Sequence, residues 1–229
     1  KAKGRLQVLQ DLVQGGRTVH GTLGLGHTRW ATHGEPSDVN SHPQVSESGR
    51  FAVVHNGIIE NYMELREFLQ SEGVTFVSQT DTEVAQLLEH YYDGDILDAV
   101  VKTLNRIQGA YALGIVCADC PDRLIAARKD SPLILGYGEG AHYLASDVTA
   151  LIKYTREGCY LDDGEIAELT ADHLWVYDAY LRPVEKERCH VDWEISAAEK
   201  GGYEHFMAKE IMEQPKAFRD TVFPRIQDG

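Results

Sequence analysis

A chain of 229 residues with 43% hydrophobic side chains is long enough for one or two domains with a sizeable core. Its 36 acidic residues outnumber 22 basic ones, for a formal charge of −14, which argues against nucleic acid or an anionic membrane as a partner. No apolar run approaches the roughly 18 residues of a membrane-spanning helix, and the sparse, unevenly spaced Cys117, Cys120, Cys159 and Cys189 suit a reducing, cytoplasmic setting.

Residues 22–26 form an apolar, strand-like run that opens into His27-Thr28-Arg29-Trp30-Ala31-Thr32-His33-Gly34-Glu35-Pro36-Ser37. Loops at strand ends concentrate binding groups, because the scaffold fixes the backbone and leaves donors exposed. A guanidinium here can take a carboxylate through two parallel hydrogen bonds. The plainer alternative is an Arg–Trp surface stack with satisfied histidines. Further strand patterns cover 51–55, 111–116, 123–127, 133–135, 142–145, 165–169 and 174–177, separated by Gly, Pro and Asp turns. Their close spacing predicts antiparallel connections, since a parallel crossover takes about a dozen residues.

Helical patterns lie between these runs. Asn61 caps a predicted helix through Gln70, with Leu65, Phe68 and Leu69 on one face and Gly73 just past the end. Thr80-Asp81-Thr82-Glu83 has the form of a capping box, opening a helix with Val84, Leu87 and Leu88 inward. A third helix is predicted over 96–107, carrying Leu97, Val100, Val101 and Leu104. The charged stretch 182–201 has no clear period and reads as a linker or surface loop. A last helix is predicted over 204–212, ending near Gln214-Pro215, because proline inside a helix costs about 3 kcal/mol. This alternation of sheets and helices predicts an α+β layered domain.

Two local features carry chemistry. Asn56-Gly57 offers a side-chain amide beside a backbone N–H that lacks a shielding Cβ, although Asn-Gly is also a strong turn dipeptide. Cys117-Ala118-Asp119-Cys120 has redox or metal spacing. No second such pair exists at zinc-site distance, which leaves a structural reading. The ten histidines show no metal-ligand spacing, so no metal is expected.

The block at 27–37, the run Val53-Val54-His55-Asn56-Gly57-Ile58-Ile59-Glu60-Asn61 and the run Ser78-Gln79-Thr80-Asp81-Thr82-Glu83-Val84 occur in that order. Together they resemble the glutaminase (class II glutamine amidotransferase) domain of the glutamine–fructose-6-phosphate aminotransferases, also called glucosamine-6-phosphate synthases. The match is collinear over nearly the whole chain. It includes Asn40-Ser41-His42-Pro43, Gly109-Ala110-Tyr111-Ala112, Ala145-Ser146-Asp147, Asp163-Gly164-Glu165 and the block at 203–215.

The resemblance implies the four-layer αββα sandwich of N-terminal-nucleophile hydrolases, with antiparallel sheets. It implies a glutaminase domain over 1–181. Residues 182–229 would form a charged loop and helical extension leading to isomerase domains of the same polypeptide. The implied substrate is L-glutamine, whose ammonia passes internally to turn fructose 6-phosphate into glucosamine 6-phosphate. The complete enzyme is expected to be a homo-oligomer with no organic cofactor or metal.

Roles follow position by position. The Asn56 side chain and the Gly57 N–H bind the oxyanion, Arg29 pairs with the α-carboxylate of glutamine, and Asp81 pairs with its α-ammonium. Thr32 and His33 belong to a loop that closes over substrate. Trp30 gates the ammonia tunnel, with a packing anchor as the alternative. Glu35, His42 and His55 match motif positions without an assigned role.

The family's nucleophile is an N-terminal cysteine, whereas this chain opens Lys1-Ala2-Lys3-Gly4. The 229 residues are therefore expected to lack the nucleophile-bearing segment and not to hydrolyse glutamine by themselves. Two other readings remain open. One is an amidotransferase of the phosphoribosyl-pyrophosphate or asparagine-synthetase type, against which Trp30 and Glu213-Gln214-Pro215 count. The other is a non-catalytic glutamine-binding or scaffold domain.

Overall fold

The computed structural model describes residues 1–30, 33–191 and 201–226, apart from the side chain of Val84. The chain divides into two compact units, Lys1–His190 and Val191–Gly229. In the first unit the helices are α1 (Leu6–Leu12), α2 (Tyr62–Ser71), α3 (Gln86–Tyr91) and α4 (Ile96–Leu104). The strands are β1 (Gln44–Val45), β2 (Phe51–Ile59), β3 (Gly109–Cys117), β4 (Cys120–Lys129), β5 (Ile134–Tyr137), β6 (His142–Ala145), β7 (Glu157–Tyr160), β8 (Ile166–Leu169), β9 (Leu174–Tyr177) and β10 (Cys189–His190). No helix among the described residues is long and apolar enough to cross a membrane.

The strands form a six-stranded sheet in the order β1-β2-β3-β4-β8-β9 and a four-stranded sheet in the order β10-β7-β5-β6. Pairing between these strands is antiparallel throughout, as their spacing predicts. One core lies between the larger sheet and the helices. There Phe51, Val53, Leu113 and Ile115 meet Leu65, Leu69, Leu87, Leu88, Ile96 and Val100. Each such side chain contributes about 1.5–3 kcal/mol when fully buried.

A second core lies between the two sheets, where Ala112, Leu124 and Ala126 of one face Leu135, Cys159 and Leu161 of the other. Because both faces of β4 are covered, Leu124, Ile125, Ala126 and Ala127 are buried consecutively rather than alternately. The result is the expected α+β sandwich of antiparallel sheets.

Several local expectations are corrected. The apolar run at 22–26 forms no strand; Leu23 and Leu25 instead cover the second core as partly buried side chains. Asn61 does not cap α2. Its amide donates to the Arg106 carbonyl at 2.9 Å and accepts the Gln108 N–H at 2.9 Å, tying down the turn after α4. That third helix, predicted to reach 107, stops at Leu104, with Asp95 as its side-chain cap.

The capping box does not close either. Glu83 accepts from Val77 N and Ser78 N at 2.6 Å each, so its carboxylate serves the incoming extended segment. The chain then makes a 3-10 turn, Asp81–Ala85, before α3. In the second unit, α5 (Phe206–Val222) runs through Pro215 rather than ending there. Proline removes one N–H from the helix ladder, and the flanking turns carry the helix across the loss.

Candidate functional site

Strand β2 continues past His55, so Asn56 and Gly57 lie inside a strand, paired with Ala112 and Tyr111, and not in a turn. The reason is glycine's conformational freedom. Gly57 has φ +123°, and a Cβ there would lie 2.1 Å from the Ala110 carbonyl oxygen. Only glycine lets this strand hold its register past the histidine.

Beside it opens a cleft of ≈ 250 Å³ with three walls. The strand supplies His55, Asn56 and Gly57; a loop supplies His27, Arg29, Trp30 and His33; and a turn supplies Thr80, Asp81 and Thr82. A second cavity of ≈ 230 Å³ lies between the sheets and shares His27, His55 and Asn56 with the first.

Four histidines line the cleft, and three of them are linked to one another. Arg29 N–H donates to His27 Nδ1 at 2.9 Å, and His27 Nε2 lies 2.7 Å from Asn56 Oδ1. The His27 ring stacks on His42 with centroids 4.3 Å apart. His42 Nδ1 accepts the His55 backbone N–H at 3.2 Å. Burial first, then the neighbouring His27, His55, Arg29 and Lys1, push the His42 pKa down to about 3. His55 is buried, and its Nδ1 lies 3.0 Å from Thr82 Oγ1. Burial lowers its pKa against the opposing pull of Asp81 and the Ala110 carbonyl. His42 and His55 are therefore neutral near pH 7.

Asp81 starts the 3-10 turn and is buried at 4% exposure. Its Oδ2 accepts the Ile59 N–H at 2.9 Å, which anchors the turn to the end of β2. The nearest titratable partner is His55, at 3.9 Å and held neutral. Among the described residues, no lysine or arginine forms an ion pair with Asp81. A buried carboxylate thus faces the cleft without a cation, an arrangement costly enough to suit a cationic ligand group.

Arg29 adopts φ +46° and folds its guanidinium back on its own loop. Nη2 donates to the carbonyls of His33 at 2.6 Å and Gly34 at 2.9 Å, and Nη1 to that of Glu35 at 3.3 Å. Of five N–H donors, two remain, and both two-pronged faces already hold a carbonyl. A carboxylate reaching Arg29 must accept single hydrogen bonds or displace those carbonyls.

His33 packs against Tyr62 at 4.9 Å with its Nδ1 buried and unbonded. Trp30 is 90% exposed, so it is no packing anchor within this unit. Thr32 falls outside the described residues.

The sequence did not single out Asn40. It is buried; its Nδ2 donates to the Glu35 carbonyl at 2.9 Å, and its Oδ1 accepts the Gln79 N–H at 2.9 Å. This one amide joins the Arg29 loop to the Asp81 turn. Asn40 was quoted only as the first residue of the matching Asn40-Ser41-His42-Pro43 block, with no role attached. His27, which reaches Asn56, was likewise quoted only as part of its block.

Among the described residues, no group of three or more His, Cys, Asp or Glu is arranged to hold a metal ion. The four cysteines are free thiols, and none lines the cleft. Cys117 and Cys120 face each other across the β3–β4 hairpin, with Cys117 inside the first core.

The chain belongs to the glutamine amidotransferase domain family, whose model matches residues 14–186. It is 57% identical over 227 residues to a glutamine–fructose-6-phosphate aminotransferase (isomerizing) of Caldanaerobacter subterraneus subsp. tengcongensis, covering 99% of this chain and 37% of that protein. Enzymes of the same name from Clostridium perfringens and Thermotoga maritima are 52% and 47% identical across all of this chain. The chain spans just over a third of the length of the curated relatives it matches, 37% and 38% for these two.

Among solved structures, the glutamine phosphoribosylpyrophosphate amidotransferase of B. subtilis superposes with a TM-score of 0.58. It is 24% identical, over 69% of this chain and 35% of the other, a likeness that shows the shared fold alone.

Proposed function

We propose that this chain binds L-glutamine and releases its side-chain amide as ammonia, within a polypeptide that converts fructose 6-phosphate to glucosamine 6-phosphate. The observation that carries the reading is Asp81, a buried carboxylate at the cleft with no lysine or arginine partner among the described residues. It suits the α-ammonium of an amino acid, and Arg29 on the opposite loop suits the α-carboxylate. Asn56 Nδ2 and the Gly57 N–H then meet the charge that develops on the amide carbonyl as it is attacked. His33 and Thr32 close over the ligand, and the exposed Trp30 stands where ammonia leaves.

The thiolate that attacks the amide comes from outside these residues, since none of the four cysteines lines the cleft. The inter-sheet cavity shares His27, His55 and Asn56 with the cleft and offers a second approach to Asn56. The relatives' names, glutamine–fructose-6-phosphate aminotransferase (isomerizing), support the sugar acceptor and an isomerizing step.

The test uses the complete polypeptide that carries these residues, with glutamine labelled by ¹⁵N at the side-chain amide and fructose 6-phosphate as acceptor. Label appearing in glucosamine 6-phosphate is expected. Glutamate release with unlabelled sugar would overturn the acceptor assignment, and no glutamate release would leave a binding domain.

A further inference from the structure

We propose that His27 is a positioning residue that aims the amide of Asn56, holding its nitrogen towards the cleft and its oxygen away. The proposal rests on the reading of Asn56 as an oxyanion donor. A side-chain amide has two orientations of nearly equal shape, and only its hydrogen-bond partners choose between them. Here a backbone group makes the choice. Arg29 N–H donates to His27 Nδ1 at 2.9 Å, so that nitrogen carries no proton. With Nδ1 accepting, the donor nitrogen of the ring is Nε2, 2.7 Å from Asn56 Oδ1. The reversed amide would set N–H against N–H at that distance.

The direction therefore runs one way, from the Arg29 backbone through the imidazole to the Asn56 carbonyl. Asn56 Nδ2 has no hydrogen-bond partner among the described residues and is left for a ligand oxygen. The plane of the His27 ring is kept by the stack on His42, with rings 22° apart. His42 is fixed in turn through its Nδ1 by the His55 N–H. The loop that carries Arg29 and the strand that carries Asn56 are thus joined by one imidazole, and removing it frees the amide to rotate.

Two substitutions separate aiming from simple support of the loop. An asparagine side chain places an acceptor near the Nδ1 position, and a glutamine places a donor near the Nε2 position. In the complete polypeptide, His27→Asn should keep the Arg29 turn but lower kcat for glutamine hydrolysis about 10²-fold, with KM nearly unchanged. His27→Gln should hold kcat within about threefold, because it restores the donor. The opposite ranking, with His27→Asn active and His27→Gln impaired, would overturn the proposal in favour of loop support.

In an Asn56→Ala background, His27→Asn should add no further loss; an additive loss also overturns it. Asn56→Ala alone guards the underlying reading. If that variant is impaired and His27→Asn is not, only the present proposal fails, whereas a normal Asn56→Ala removes both. A readout independent of any variant is the ¹⁵N spectrum of the His27 ring in the wild-type protein. The expected form carries its proton on Nε2, and an Nδ1–H form would contradict the relay.

Discussion

Two walls of one cleft are built on opposite plans. The strand wall, with His55, Asn56 and Gly57, is held by backbone pairing to β3, and its side chains are placed by register. The loop wall, with Arg29, Trp30 and His33, lies in no sheet and is held by its own arginine, whose guanidinium binds carbonyls four to six residues further along. Groups fixed by register suit chemistry, which tolerates displacements of well under 1 Å. Groups fixed by exchangeable hydrogen bonds suit capture and release. The cleft joins a rigid half to a half that can trade its internal partners for a ligand's.

Changes on the strand wall should have the largest effects. Gly57→Ala meets the Ala110 carbonyl and a φ of +123°, so we expect more than about 3 kcal/mol of lost stability and no measurable turnover. Urea unfolding would check this, and a stable, active variant would show that β2 is not rigid here. Asn56→Ala should leave folding intact and lower kcat about 10²–10³-fold, with KM little changed. Near-normal kcat in that folded variant would reduce Asn56 to a strand residue.

Asp81→Asn keeps an acceptor for the Ile59 N–H and removes only the charge. It should raise KM for glutamine by a factor equivalent to about 1.5–3 kcal/mol, read by steady-state kinetics. An unchanged KM would take the α-ammonium away from Asp81.

The histidine stack offers a subtler test. The folded-state pKa of His42 is depressed from 6.5 to about 3, so the folded protein favours the neutral ring. Its contribution to stability is fully present above the unfolded value and is lost as pH falls from 6.5 towards 3, where the unfolded chain binds the extra proton. His42→Asn, which can still accept the His55 N–H, should flatten this acid slope in urea midpoints. Parallel slopes for the two proteins would contradict it. The smallest effect belongs to the loop tip, where Trp30→Ala should change stability by less than about 0.5 kcal/mol because the indole is 90% exposed. A larger loss would show that the tip packs more firmly than its exposure indicates.

The same contrast explains what could be read in the sequence. Strand patterns at 142–145 and 174–177 coincide with β6 and β9, because short runs of apolar and aromatic residues between turns leave few other solutions. Asn56-Gly57 read as a turn or a motif. Its place inside β2 depends on Ala110 in a strand some fifty positions away. Asn61 and Glu83 have the composition of helix caps, yet Asn61 is claimed by the backbone of Arg106 and Gln108, far along the chain, and Glu83 by the extended segment just before its own turn, where a capping rule does not look. Arg29 was legible as a charge at a loop, but its φ and its three carbonyl acceptors were not. Asn40 was overlooked because its importance lies in joining two loops that are far apart in sequence.

The Asn40 clasp also bears on how these loops can evolve. The space where a Gly34 side chain would stand is filled by Asn40, whose Nδ2 would lie 2.8 Å from the new Cβ, and by the Cβ of Gln79 at 2.8 Å. Any side chain at 34 meets both neighbours, and a smaller residue at 40 would relieve only the first clash while severing the link between the loops. The backbone at Gly34, at φ +74°, then resists the new side chain even after room is made. Position 34 is thereby held to glycine by two neighbours and by its own backbone, and changing Asn40 alone breaks the link between the loops without freeing it.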